Sequence, residues 1–428
     1  MRSTLRSTFG KAGFGIGLAT SAVLATVALA GCGAGQSGAG AGTGGTGGAG
    51  GGTSATTPTA TGTSSPASAT ATAPAQSATA PTAPASGQPA GGPVPNGFAA
   101  TSVTFVSVDE AFVLGTAPCS HAPCTSIVRT LNRGASWVGL PAPVVALGSA
   151  EGSSGPAVWG IRFADPAHGF VFGNELYETA DGGEHWAKVA GPQGSILSLE
   201  VIDGQVLALT APCQAQSGCG QSGTLERRPL SGGSWQVVTQ VGDPRLIATQ
   251  ARVAAVLDGT SVIVTANGGL SYTTHPTPCT TEGVAIPSSV AVTGTDGLAL
   301  LCAGQGAAGS VGKSVYVSSD LGANWTKAGL PARGGDPFDI AAATPTQLVV
   351  AAESGASWLY YSGDSASTWG TAYMAGDGGQ GWNDLGFTST SDGVVVHGPA
   401  LQDGNPGGRP GQLLFTSDGG ATWQLVHF

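Results

Sequence analysis

The chain has 428 residues and a formal net charge of −10, and only 9% of its residues are charged, against about 25% in an average globular protein. A chain so poor in cations excludes nucleic acid and an anionic bilayer surface as electrostatic partners. Length alone suggests two or so domains, but a repeat architecture of this size closes as one.

At the N-terminus, Arg2, Arg6 and Lys11 precede an apolar run from Ala12 to Ala30, the layout of a secretory signal. The run ends in Leu29-Ala30-Gly31-Cys32, which resembles the bacterial lipobox. That resemblance implies cleavage after Gly31 and a diacylated Cys32 at the head of the mature chain. The competing assignment is an uncleaved signal anchor, because the run is nearly long enough to span a bilayer. Both place the folded part outside the cytoplasm. The expected location is the outer face of the cell membrane, with the membrane a partner through the lipid. From Gly33 to about Pro95 the chain is almost wholly Gly, Ala, Ser, Thr and Pro, without charge or aromatic residue. Such a stretch cannot bury enough apolar surface to offset its ordering entropy. The expected organisation is a signal peptide over 1–31, a disordered tether over 32–95 and one folded domain over 96–428.

Six cysteines remain beyond Cys32: Cys119, Cys124, Cys213, Cys219, Cys279 and Cys302. Six allow 15 connectivities, but four of them sit as close pairs in loop-like sequence. The expected bridges are 119–124, 213–219 and 279–302. Loop closure would make the short ones worth about 2 kcal/mol each and the long one about 3.5 kcal/mol.

One pattern recurs along the rest of the chain: Ser or Thr, any residue, Asp or Asn, any residue, Gly, two residues, an aromatic. It runs Thr130 to Trp137 around Asn132, Thr179 to Trp186 around Asp181, and Thr265 to Tyr272 around Asn267. It returns at Ser318 to Trp325 around Asp320, and at Thr416 to Trp423 around Asp418. Two copies are degenerate: Ser362 to Trp369 keeps Asp364 but has Ala366 for Gly, and Arg228 to Trp235 has Leu230 in place of the acid. The chemistry is that of a hairpin turn, with a side-chain oxygen bonding N–H groups just ahead and Gly accepting positive φ. Strand-like pairs stand upstream of the copies, such as Ile161-Arg162-Phe163 with Gly169-Phe170-Val171-Phe172. Four strands per unit, at steps of 37 to 54 residues, suit propeller blades of about 40–50 residues.

These motifs resemble the Asp-box, or BNR, repeat family over about residues 100 to 428. His168-Gly169-Phe170-Val171-Phe172-Gly173 followed by Thr179-Ala180-Asp181-Gly182-Gly183 is similar to the Ycf48-like subgroup. The resemblance implies an all-β fold, a single propeller of about seven four-stranded blades. The family spans sialidases, other glycosidases, sorting receptors and assembly factors, so it says little about function. The chain ends at Phe428 within the outer strand of the last blade. Closure of the ring is therefore expected from apolar packing between first and last blades, helped by residues 93–100.

No catalytic set emerges. The region before Asn132 lacks the Phe-Arg-Ile-Pro-like segment of sialidases, and most of the arginines Arg129, Arg133, Arg162, Arg227, Arg228, Arg245, Arg252, Arg333 and Arg409 lie beside turns. Asp165, Glu175, Glu200, Asp258, Asp336, Asp339 and Asp384 are candidates for a two-carboxylate glycosidase, a chemistry that depends on a separation no sequence gives. The six histidines lack ligand spacing, so no metal and no cofactor is expected. Among nine tryptophans, Trp159, Trp358 and Trp382 have no place in the repeat and are candidate ligand contacts. Arg162 and Glu200 hold one aligned position in neighbouring blades and predict a polar patch near the axis; equal strand parity gives no ground for pairing them. The expected function is a monomeric, lipid-anchored propeller that binds a protein or glycan, with a sialidase-like glycoside hydrolase as the alternative.

Overall fold

The computed structural model describes residues 88–428 apart from 150–152, 154, 215–217, 280–285, 308–309, 333 and 399–410. Cys32, the signal region, the tether up to residue 87, Arg333 and Arg409 lie outside the described residues.

Seven antiparallel sheets follow one another along the chain, each with four strands bonded in sequence order. Blade 1 is Ala99–Phe105, Ala111–Thr116, Thr125–Thr130 and Val138–Leu140. The first strand of every blade is the inner one. In blades 2 to 7 these are Ala157–Phe163, Ser195–Ile202, Ile247–Gln250, Ile286–Val292, Asp336–Ala342 and Trp382–Phe387. Blade 2 carries a short extra strand, Ala146–Leu147, parallel to its first. The fold is thus the expected seven-bladed, all-β propeller.

Why these sequences make a ring is visible in the packing. Each sheet is apolar on both faces, and seven apolar clusters fill the seven gaps between neighbouring blades. In the gap between blades 1 and 2, Phe112 stacks on Phe163 at 3.6 Å between ring centroids. The last gap is closed as expected, by packing rather than by a shared strand. Val103, Val113 and Val128 meet Val394, Val396 and Leu413, with Val94 and Phe98 packed alongside. Phe98 meets Phe428 edge-on at 4.8 Å.

The recurring turn is built the same way in six copies. In blade 2, Thr179 Oγ1 donates to Asp181 Oδ1 at 2.8 Å and accepts from Gly183 N at 3.0 Å, while Asp181 Oδ1 accepts from His185 N at 3.0 Å. Asn132, Asn267, Asp320, Asp364 and Asp418 repeat this pattern. Two successive residues take positive φ, such as Gly182 and Gly183, and Ala366 is forced to φ 64 where Gly is missing. In three copies the closing Trp bonds across to the preceding blade: Trp186 donates to Pro141 O, Trp235 to Ala190 O and Trp369 to Gly329 O, whereas Trp423 donates within its own turn to Gly420 O. The turn therefore shapes a hairpin and, in those three copies, also staples two blades. In the degenerate copy Arg228 stands where Ser or Thr should be. It is buried, ion-paired with Glu178, and lies 5.0 Å from the Trp235 ring.

All three expected disulfides are formed. They join second-to-third strand loops or the connection entering blade 5, so strand alternation puts them on the face opposite the recurring turns. Three such bridges point to an oxidising, non-cytoplasmic compartment. Among the described residues no helix is long and apolar enough to cross a membrane.

The expected domain boundary at residue 95 moves. Gly92 exchanges two backbone hydrogen bonds with Gly139, Arg129 Nη2 donates to Pro89 O at 2.6 Å, and Gln88 Nε2 donates to Glu110 and to Pro166 O. Residues 88–95 are composed like the tether, but their backbone is bound to blade 1 and the Gln88 side chain reaches blade 2.

Candidate functional site

The inner strands enclose a channel, and the geometry of its lining starts with a repeated irregularity. In blades 1, 2, 3, 5 and 6 the inner strand carries an extra residue against its neighbour at the same level, and in blade 7 the irregularity spans two residues. A bulge re-aims the side chains that follow it. The residues after these bulges then bond to the next inner strand around the ring. Ser102 Oγ accepts from Ile161 N at 3.1 Å and Ser198 Oγ accepts from Ile247 N at 3.2 Å. Ser289 Oγ donates to Asp339 Oδ1 at 2.6 Å.

Across the channel at this level lies a charged floor. Arg162 Nε donates to Glu200 Oε1 at 2.7 Å and Nη2 to Asp384 Oδ1 at 2.8 Å. Nη1 donates to Val103 O at 3.0 Å and to Ile161 O at 2.9 Å. Asp384 Oδ2 accepts from Val103 N at 2.9 Å, which ties blade 7 to blade 1. Glu200 Oε2 accepts a longer bond from Thr249 Oγ1 at 3.4 Å. Burial opposes the charge on Arg162, but Asp384 and Glu200 outweigh it and hold the guanidinium above its ordinary range. Burial raises Glu200, against the pull of Arg162.

Asp339 completes the floor and differs from the other two acids. Its Oδ1 accepts from Ser289 Oγ and from its neighbour Ile340 N, and no described cation pairs with it. Burial, with the Asp384 charge adding to it, pushes its carboxyl up to about 6. On one side of the floor is a cavity of about 420 Å³, and on the other a pocket of about 80 Å³; Arg162, Asp339 and Asp384 line both. Among the described residues no group of three His, Cys, Asp or Glu side chains is placed to hold a metal ion.

Arg162 and Glu200 are thus brought together, although parity had given no reason to pair them. Side chains that point into the channel from adjacent inner strands converge on its axis, so equal parity still lets Arg162 and Glu200 meet. Of the remaining candidate acids, only Asp339 and Asp384 join them. Asp165 caps its own turn through Ala167 N and His168 N, Glu175 pairs with Lys188, and Asp258 accepts from Gly242 N. Arg162 is the one arginine among the described residues that lines the channel.

The three unassigned tryptophans do structural duty in this structure. Trp382 is 1% exposed, donates to Ala352 O at 3.1 Å and stacks on His397. That burial leaves no open ring face for a ligand. Trp159 donates to Ile196 O at 3.1 Å across the gap between blades 2 and 3, with one side on the small pocket. Trp358 packs in the gap between blades 5 and 6.

No sequence family and no curated protein matches the chain. Solved structures do resemble it in fold. One described as YCF48 bound to D1 peptide is 17% identical, with a TM-score of 0.51 over 76% of this chain and 95% of that one. YCF48 from Cyanidioschyzon merolae is 15% identical, with a TM-score of 0.51 over 76% of this chain and 97% of that one. At such identities the likeness extends to the fold alone: the chain is a β-propeller similar to YCF48.

Proposed function

We propose that this protein is an exported, lipid-anchored, monomeric propeller that binds a protein or glycan in the cell envelope through its central channel. The observation that carries this reading is the cavity of about 420 Å³ over a charged floor. Apolar walls with a few convergent polar groups are the usual make-up of a binding site. The recurring turns support membership of the Asp-box repeat group, and the Leu-Ala-Gly-Cys motif at residues 29–32 supports the anchor at Cys32. The structure described as YCF48 bound to D1 peptide makes a protein ligand the first to seek.

A glycoside hydrolase is the second reading, and one observation favours it. A carboxyl held near 6, as at Asp339, is suited to donate a proton near neutrality. Hydrolysis also needs a second carboxylate free to act as base or nucleophile. Glu200 and Asp384 are both engaged by Arg162, which supports binding over turnover. The test is a glycan array with the intact protein, followed by incubation with any glycan bound, alongside crosslinking in the envelope. Capture of a protein partner or of an uncleaved glycan supports the binding reading. Cleavage of a bound glycan, abolished in Asp339→Asn, overturns it.

A further inference from the structure

We infer that the large cavity of the channel takes an organic cation, an ammonium or guanidinium group on an aliphatic stem, with Asp339 as its counter-charge. This deepens the binding reading and rests on it. Three carboxylates and a single guanidinium are the charged groups that line the cavity. Arg162 spends its side-chain donors on Glu200, on Asp384 and on two backbone carbonyls. Asp339 is only 8% exposed, and both hydrogen bonds that it receives fall on Oδ1. Its second oxygen, Oδ2, accepts none among the described residues, and the side chain lines the cavity. A buried carboxylate without a partner is costly, and an ammonium or guanidinium donor would supply both the charge and the missing hydrogen bond.

The walls argue for the stem. Val201, Leu385 and Phe387, partly buried against the blade gaps, line the cavity with the acids and with Thr104, Thr249, Gln250 and Thr388. An aliphatic chain buries its methylenes against such walls while its charged head reaches the floor. A divalent metal is disfavoured by the absence of converging ligands among the described residues. The same head and stem occur in a free alkylamine and in a Lys or Arg side chain of a protein.

The experiment is calorimetric titration of the full chain in detergent. The probes are n-butylammonium, 1-butanol as the neutral isostere, and the peptides Gly-Gly-Lys-Gly-Gly and its acetyl-lysine analogue. Butylammonium is expected to bind and butanol not. Asp339→Asn should weaken the ammonium by roughly tenfold or more while melting at or above the wild-type temperature. The lysine peptide binding more tightly than butylammonium identifies a protein side chain as the source; the reverse order identifies a free amine. Equal binding of ammonium and butanol, equal binding to wild type and Asp339→Asn, or no binding of any probe overturns the inference. If the probes fail but an envelope protein is still crosslinked to the propeller, only the cation assignment falls. If both fail, the binding reading falls with it.

Discussion

At the rim of this ring Thr179, Asp181, Gly183 and His185 satisfy one another within seven residues of chain. On the channel floor, Arg162 reaches 38 residues ahead to Glu200 and 222 residues ahead to Asp384. The rim turns are local, repeated and mostly at the surface. The floor is assembled once, its charged groups coming from four blades, and is recessed, with the Arg162, Glu200 and Asp384 side chains only 17–19% exposed. The difference has an energetic consequence. A rim turn that fails leaves its groups to solvent, so each is a small and separate contribution. A floor residue that is lost leaves buried charges unpaired, so its neighbours are penalised with it.

The largest expected effect sharpens that contrast. Arg162→Met strands Glu200 and Asp384 and should destabilise the domain by about 3–5 kcal/mol, measured by chemical denaturation. Replacing Cys279 and Cys302 together by Ser should cost about 3.5 kcal/mol, since their loop of 23 residues is the longest of the three. This effect belongs to neither region, which makes it the reference against which both are scaled.

The third prediction has the opposite sign. Asp339 has its folded carboxyl raised above the unfolded value of 3.8, to about 6. Its stabilising contribution is therefore full below about pH 4 and is lost as pH rises through 6. Asp339→Asn should stabilise the propeller at pH 7 by on the order of 1–3 kcal/mol and remove this fall in stability between pH 4 and 6. The smallest effect lies at the rim. Asp181→Ala should cost about 1 kcal/mol through lost turn hydrogen bonds, with solvent taking up what remains. A rim loss as large as that of Arg162→Met would break the comparison.

The same division explains what could be read from the chain beforehand. The turns were legible because their donors, acceptors and glycines lie within eight consecutive residues, and their repetition led to blades and then to the ring. The disulfides were legible because two of the three pairs are short-range. The floor was half legible. Arg162 and Glu200 stood out as charges in apolar strands, but their pairing depends on convergence toward the axis. Asp384 stood only as one candidate acid among seven, and its place beside Arg162 was hidden because it sits in an irregular stretch at φ 50, where strand alternation no longer tells which way a side chain points. Asp339 follows a bulge at Pro337 and Phe338, with the same effect. Trp382 was misleading because a tryptophan outside the repeat is as useful for filling a gap between blades as for holding a ligand. Residues 88–95 were assigned to the tether on composition, while backbone hydrogen bonds, which composition does not encode, hold them to blade 1.

The most direct test of the coupled floor compares Arg162→Met with the triple variant Arg162→Met, Glu200→Gln, Asp384→Asn by equilibrium denaturation at pH 7. If one guanidinium serves two buried carboxylates, the single variant loses about 3–5 kcal/mol and the triple variant regains most of it. A triple variant as unstable as the single one, or a single variant within about 0.5 kcal/mol of wild type, would contradict the account.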